Sequence, residues 1–251
     1  MHRFFVPFES IFETKVVFPA EISFQIRKVL RLSDGEKVAV LDNSGLTRLV
    51  TLELTGNGSV EGVVQETIRE NRELPIHLDL YVSLTSREKF EWVLQKTTEA
   101  GVSRIIPFIS ERSLIHGNEK DPDLKKQQRR VAIMREAAEQ CERSLLPTLE
   151  PAVSFQDAIR SVSGTGTNLL FWEEERERTI WQALDTADRN PSRISLMTGP
   201  EGGFTEMEAQ FAQSHGWQLV TLGSRILRME TAAIAAILQT AYEIDRRKSL
   251  P

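Results

Sequence analysis

Two short stretches carry the residue types that could do chemistry. The first is "TGPEGGF", residues 198–204, set between the apolar run "RISLM" and "TEMEAQFAQSHG". The run reads as a buried strand, and the following segment opens a helix with Thr205 as N-cap and Glu208 three residues on, a capping box. A glycine pair at a strand-to-helix turn is where nucleotide-like ligands bind. No Gly-Lys-Ser/Thr follows, so this is not a P-loop, and the dinucleotide fingerprint is also missing. Glu201 places a negative charge where a phosphate would be repelled. The loop therefore predicts a small ligand that is not anionic. The second stretch, "LGSRILRMETAAIAAIL" at 222–238, repeats the plan: a strand end, Gly223, an irregular loop carrying Arg228, then a helix of small and apolar residues. Two such loops on the same edge of a sheet predict a binding site outside the carboxyl ends of the strands.

The elements that position these loops alternate strand and helix from residue 77 onward. Strands are expected at "HLDLYVSLT", "RIIPFIS", "TNLLFWEE", "RISLMT" and "QLVTLG". Helices are expected at "EKFEWVLQKTTEAG", from about Pro122 to Arg143, at "FQDAIRSV", "TIWQALDTAD" and 205–215, and from Glu230 to Arg247. This rhythm predicts an α/β domain with a mostly parallel sheet covered on both faces. The core stripe of the long helix reads as Leu124, Val131, Met134, Ala138 and Cys141. Residues 1–72 differ: "KVAVLD", "TRLVTLELT" and "VEGVVQETI" are strands parted by Asn/Gly/Ser turns, which suggests a small β-barrel. A helix at "PAEISFQIRKVLRLSDGE" precedes them, and "RENRELP" reads as a linker.

Composition bounds the rest. The 251 residues are 40% hydrophobic and 27% charged, those of an ordinary globule, with no apolar run near the ~20 residues of a membrane span. The single cysteine, Cys141, excludes an internal disulfide, and four scattered histidines give no metal-ligand spacing, so no metal is expected. A cytoplasmic setting is the simplest expectation. The formal charge is −5, yet Arg3, Lys15, Arg27, Lys28 and Arg31 outnumber the acids among residues 1–31. Lys125 with Arg129, and Lys126 with Arg130, stand at i,i+4 spacing. Such basic faces can hold phosphates on an acidic protein, because screening confines charge effects to about 8–10 Å; a merely solvated helix face is the alternative.

"TGPEGGF" followed by "LGSRILRMETA" closely resembles the ribosomal RNA small subunit methyltransferase E family, of the SPOUT superfamily of knotted methyltransferases. "IRKVLRLSDGE", "EKFEWVLQKTTEAGVSRIIPFISERS" and "REAAEQCERSLLP" resemble its other signatures in order, over nearly the whole chain. Gln25 stands where a histidine is common, and Thr97-Thr98 varies a more usual Ala-Thr. The resemblance implies a PUA-like RNA-binding barrel over 1–72. It also implies a SPOUT methyltransferase domain over 73–251, with a trefoil knot threaded near 196–232. It implies a homodimer with the site at the subunit interface, S-adenosylmethionine as cofactor, and methylation of uracil N3 in 16S ribosomal RNA of the small subunit. The cofactor, a sulfonium cation without phosphate, suits the loop that carries Glu201.

Under that resemblance Leu196, Thr198, Gly199, Glu201, Gly202 and Gly203 line one side of the cofactor, and Leu222, Gly223, Ile226, Leu227 and Arg228 the other. Arg228 and Arg112 are candidates to stabilise charge spreading to the uracil oxygens. Glu201 and Glu139 are candidates to take the N3 proton; alternatively Glu139 pairs with Arg143. Arg3, Arg27, Lys28, Arg31, Lys126, Arg129 and Arg130 are candidates for RNA contacts. The rival readings are a SPOUT methyltransferase acting on another RNA position, including ribose 2′-O, and a non-enzymatic RNA-binding or ribosome-assembly module.

Overall fold

A computed structural model describes the chain except residues 57, 71, 115–123, 163–165, 186–190 and 249–251. The chain divides into two compact units, 1–73 with 135–146, and 74–134 with 147–251. The stretch 135–146, expected from the sequence in the second domain, thus belongs to the first unit.

In the first unit β1 (Arg3–Phe5), β2 (Lys15–Val17), β3 (Lys37–Leu41), β4 (Thr47–Leu54) and β5 (Val60–Ile68) form one sheet in the order β1-β3-β4-β5-β2. The β1–β3 pair is parallel and the others antiparallel. The expected barrel takes the form of a curled half-barrel with β1 and β2 at its edges. A register shift between Leu49 and Val50 helps curl it. Gly62 permits the close approach there, since a Cβ on it would lie 2.3 Å from Val50 Cγ1. The helix α1 (Ala20–Phe24) runs into a π turn at Gln25–Val29 and buries Ile22 and Ile26 with Phe4, Phe18, Val38, Val50 and Val60. Side chains fasten 135–146 to this sheet. Glu139 Oε1 accepts the Phe5 amide at 2.9 Å, and Asn43 Oδ1 accepts the Leu146 amide at 2.6 Å. Glu73 pairs with Arg143 at 2.8 Å and accepts the Ser144 and Leu145 amides. Arg143 is therefore paired with Glu73.

The second unit is a parallel sheet of β6 (His77–Ser83), β7 (Arg104–Ile109), β8 (Thr148–Leu149), β9 (Val153–Ser154), β10 (Thr167–Phe171), β11 (Arg193–Thr198) and β12 (Gln218–Val220). Its order is β12-β10-β11-β6-β7-β8, with β9 also on β7. Strand alternation sorts the core into two layers. Leu78, Leu80 and Val82 of β6 and Ile194 and Leu196 of β11 meet α2 (Arg87–Glu99), α5 (Ile180–Asp185) and α7 (Met229–Lys248). Tyr81, Leu170 and Met197 face the other way, toward α4 (Phe155–Arg160) and α6 (Glu206–Ser214). After β11 the chain passes β10, pairs β12 on its far side, and returns to pack α7 across β11 and β6.

The helix α3 (Leu124–Gln140) departs from its expected stripe. Leu124 and Val131 are exposed, while Met134, Ala137 and Ala138 are buried. The buried stripe runs one residue earlier through Arg130, whose guanidinium sits 4.6 Å from the centre of the Phe90 ring. Pro122, the expected start of this helix, lies outside the described residues.

Candidate functional site

The three strands at one side of the second sheet, β12, β10 and β11, release their chains into one cavity of about 620 Å³. Its walls are the loops after those strands: 171–179, 198–203 and 221–232. Thr198, Gly199, Glu201, Gly202 and Gly203 line it, as do Leu222, Gly223, Ile226 and Leu227. Two residues expected there lie elsewhere. Leu196 is fully buried in the core because its position in β11 points it at the α2–α7 layer. Arg228 is exposed at the start of α7 and does not line the cavity. The third wall, with Trp172, Glu173 and Arg176, was missed, because "TNLLFWEE" read only as a strand. β10 is the strand between the other two, so its carboxyl end opens on the same site, a relation that strand order sets and local sequence does not.

The glycines of the first loop are closely packed. Gly203 has φ +69°, and a Cβ there would lie 1.6 Å from Glu173 Oε1. At Gly202 the neighbour is Arg112, whose Cβ would lie 3.0 Å from an added Cβ, and the φ of Gly202 is not positive. Arg112 Nη1 donates to the Gly202 carbonyl at 3.0 Å, so this arginine does reach the first glycine loop. The helix after that loop begins as expected: Thr205 and Glu208 close a capping box. The second Glu208 oxygen accepts the Glu111 amide at 3.0 Å, tying the Arg112 loop to the same helix start.

Glu201 turns away from catalysis of proton transfer. Its Oε1 accepts from Thr85 Oγ1 at 2.8 Å and from Lys89 Nζ at 2.9 Å. Burial pushes its carboxyl up, but the bonds from Lys89 and Thr85 outweigh this and hold it below the usual range. Such a carboxylate is a weak base near neutrality. Glu139 belongs to the first unit; burial raises its carboxyl against the opposing Phe5 amide. Among the described residues Arg228 makes no ion pair, so neither Glu201 nor Glu230 anchors it.

The cavity fits S-adenosylmethionine by its donor set. Thr198 Oγ1 and Trp172 Nε1 are buried with no partner, although both residues line the space. Buried polar atoms are nearly always paired, so these two are open to a ligand. Glu173, Glu175 and Glu201 line the cavity together with Arg176 and Arg225, a mixed charge suited to a molecule with a cation, an amine and a carboxylate.

The basic candidates separate into different uses. Arg3 is buried, with Nη2 on both oxygens of Glu70 at 2.8–2.9 Å. Arg27 braces the turn at 55–59 through the carbonyls of Thr55 and Ser59. Arg130 is only 7% exposed, and Arg129 chelates Glu91 through two bonds of 2.6 and 2.8 Å. Arg3 and Arg130 are thus structural, each holding a partner, Glu70 or Phe90, that the sequence spacing did not reveal. Lys28 and Arg31 are exposed, and Lys126 is half-buried.

Known proteins agree with this geometry. Residues 72–240 match the family model of an RNA methyltransferase domain. The ribosomal RNA small subunit methyltransferase E of Synechocystis is 33% identical over 238 residues, covering 95% of this chain and 76% of that protein. That of Bacillus subtilis is 31% identical, covering 88% of this chain and 87% of its own. The crystal structure of the Neisseria gonorrhoeae enzyme bound to S-adenosyl methionine superposes with a TM-score of 0.85 at 32% identity, covering 96% of this chain and 97% of that one. A putative methyltransferase of Legionella pneumophila, in complex with the same cofactor, gives 0.82 at 28% identity, covering 95% of this chain and 97% of that one.

Proposed function

This chain belongs to the ribosomal RNA small subunit methyltransferase E family, and from that membership we infer that it moves a methyl group from S-adenosylmethionine to N3 of a uracil in 16S ribosomal RNA. The observation that carries the reading is the cavity at three adjacent strand ends with two unpartnered buried polar atoms, Thr198 Oγ1 and Trp172 Nε1. S-adenosylmethionine, when bound, supplies a methyl group already activated by a positive sulfur.

The chain's own task is then positional and electrostatic. The glycine loops admit backbone amides and carbonyls close to the nucleoside. Holding N3 in line with the methyl group is worth up to ~7–11 kcal/mol of the barrier. Arg228, exposed and without an ion pair among the described residues, and Arg112, fixed to the Gly202 carbonyl, are the groups we assign to charge developing on O2 and O4. Glu201 is assigned to the loop, where it locks Thr85 and Lys89. RNA contacts are assigned to Lys28, Arg31 and Lys126.

A homodimer in the cytoplasm completes the proposal. Leu238 and Tyr242 stand one turn apart on α7, and both are exposed. Among the described residues no helix is long and apolar enough to cross a membrane. The experiment is calorimetry with S-adenosylmethionine followed by mapping of methylated nucleotides in 16S RNA after incubation with the protein. Cofactor binding and one new N3-methyluridine are expected; a methyl group at a ribose, or none, overturns the assignment.

A further inference from the structure

The first unit holds an exposed turn that its own packing does not explain. The helix α1 buries Ile22 and Ile26 but leaves Phe24 and Val29 each 62% exposed. Between them the backbone widens into a π turn, with the Leu30 amide on the Gln25 carbonyl at 2.9 Å and the Leu32 amide on the Ile26 carbonyl at 3.0 Å. Single π turns are rare and collect at functional sites. Lys28 and Val29 stand four and five residues after Phe24, the spacing of one π turn, and both are exposed. The turn ends on Arg31 at φ 54°, the left-handed region that a helix end normally gives to Gly or Asn. A large side chain there costs about 1 kcal/mol or more in backbone conformation. An unburied aromatic, a π turn and a left-handed arginine thus coincide within eight residues that contain no acid, the exposed acids Glu21 and Asp34 standing three residues outside either end.

We propose that this turn is a stacking platform for an unpaired RNA base, with Phe24 under the base and Lys28 and Arg31 on the neighbouring phosphates. The proposal rests on the reading that the substrate is RNA, and it adds the mode of recognition. An exposed aromatic face flanked by cations is what single-stranded nucleic acid requires, because stacking tolerates any base and the cations follow the backbone. Duplex RNA keeps its bases stacked inside and has no use for Phe24.

The test compares full-length protein carrying Phe24→Leu, Phe24→Trp or Lys28→Ala. The probes are a short fluorescein-labelled oligouridine and the same strand annealed to oligoadenosine. Phe24→Leu is expected to weaken single-strand binding roughly tenfold. It should leave duplex binding, the salt slope and the melting temperature unchanged. Phe24→Trp should retain affinity, with its indole emission quenched on binding. Lys28→Ala should reduce the salt slope by about 0.7. Oligouridine binding by Phe24→Leu equal to the parent's, an equal loss in Phe24→Trp, or no binding by the parent overturns the proposal. Methylation of 16S RNA by the parent is scored separately, so failure of the enzymatic reading leaves its own distinct signature.

Discussion

Lys89 Nζ lies 2.9 Å from Glu201 Oε1, joining the first turn of α2 to the first glycine loop of the cavity. Thr85 Oγ1 reaches the same oxygen, so one carboxylate gathers two elements around the cofactor. Because the Glu201 carboxyl is depressed, its stabilising effect is complete above the ordinary glutamate range near ~4.3. It is lost as pH falls through the lowered value. The difference in melting temperature between the parent and Glu201→Gln should therefore be about 1–3 °C near neutrality and shrink below pH ~4. A difference that grows toward acid pH in differential scanning calorimetry refutes the pairing. A rate profile for Glu201→Gln that keeps the parent's rise on the acidic limb supports its loop role, and loss of that rise would restore it as a proton acceptor.

Gly203 should tolerate substitution less than Gly202. Gly203→Ala must leave the left-handed region and also displace the Glu173 carboxylate. A loss of about 1–2 kcal/mol in stability is expected, with cofactor affinity falling at least roughly tenfold. Adding Glu173→Ala removes the clash but not the backbone strain, so it should restore part of the stability. Gly202→Val instead pushes Arg112 off the Gly202 carbonyl and should weaken cofactor binding with a smaller change in melting temperature. Equal melting and binding in Gly203→Ala and the parent, by calorimetry, would contradict the loop geometry.

Much of this architecture was legible because its signals are local. "RISLMT" became β11 without a shift, and "TEMEAQF" announced its capping box by residue type alone. The strands β1 and β2 were not legible: at three residues each they are too short to show alternation, and β1 exists only by pairing with β3. The two glycine loops were found from their residues, while the Glu173 wall was not, since its position follows from strand order and not from its own sequence. Arg130 shows the limit of helical spacing. The charge pattern put it on a solvated face with Lys126, but Phe90, forty residues earlier in the chain, offered a ring for it to cover.

That burial divides the basic residues of α3 into two experiments. Arg130→Glu puts an acid over the Phe90 ring in a buried place, so it should destabilise the fold by about 2–3 kcal/mol. Lys126→Glu should leave the melting temperature nearly unchanged, weaken RNA binding, and lower the salt slope by about 0.7–0.9 for each phosphate no longer neutralised. Thermal melts and salt titrations together read the division, and the reverse pattern would exchange the two roles.

The exposed pair on α7 makes an oligomeric prediction. Leu238 and Tyr242 repeat at the i,i+4 spacing of a helix that already fills its sheet-facing side with Ala233, Ala236, Ile237 and Ile244. The parent should sediment as a dimer at micromolar concentration. Leu238→Asp with Tyr242→Asp should sediment as a monomer near 28.5 kDa with its melting transition preserved. A monomeric parent would remove the dimer from the proposal.

Arg228→Ala should cost turnover far more than stability. Arg228 precedes α7 directly, between the cavity-lining residues Leu227 and Met229, yet it stays outside the lining and forms no ion pair among the described residues. Its backbone carbonyl accepts the Ala232 amide at 2.8 Å, so the main chain is fixed while the side chain is not. An exposed, unpaired guanidinium contributes little to folding, and its removal should leave the melting temperature within about 1 °C of the parent's. Directed at negative charge on the uracil oxygens, the same group is worth about 3 kcal/mol, or roughly a hundredfold in rate. Arg228→Lys should rescue little, because an ammonium cannot reproduce the planar fork. Single-turnover methylation, cofactor affinity and melting temperature measured on the same preparations separate the roles. A fall confined to the methylation rate makes Arg228 catalytic. A parallel fall in all three would show instead that it holds the second loop in shape.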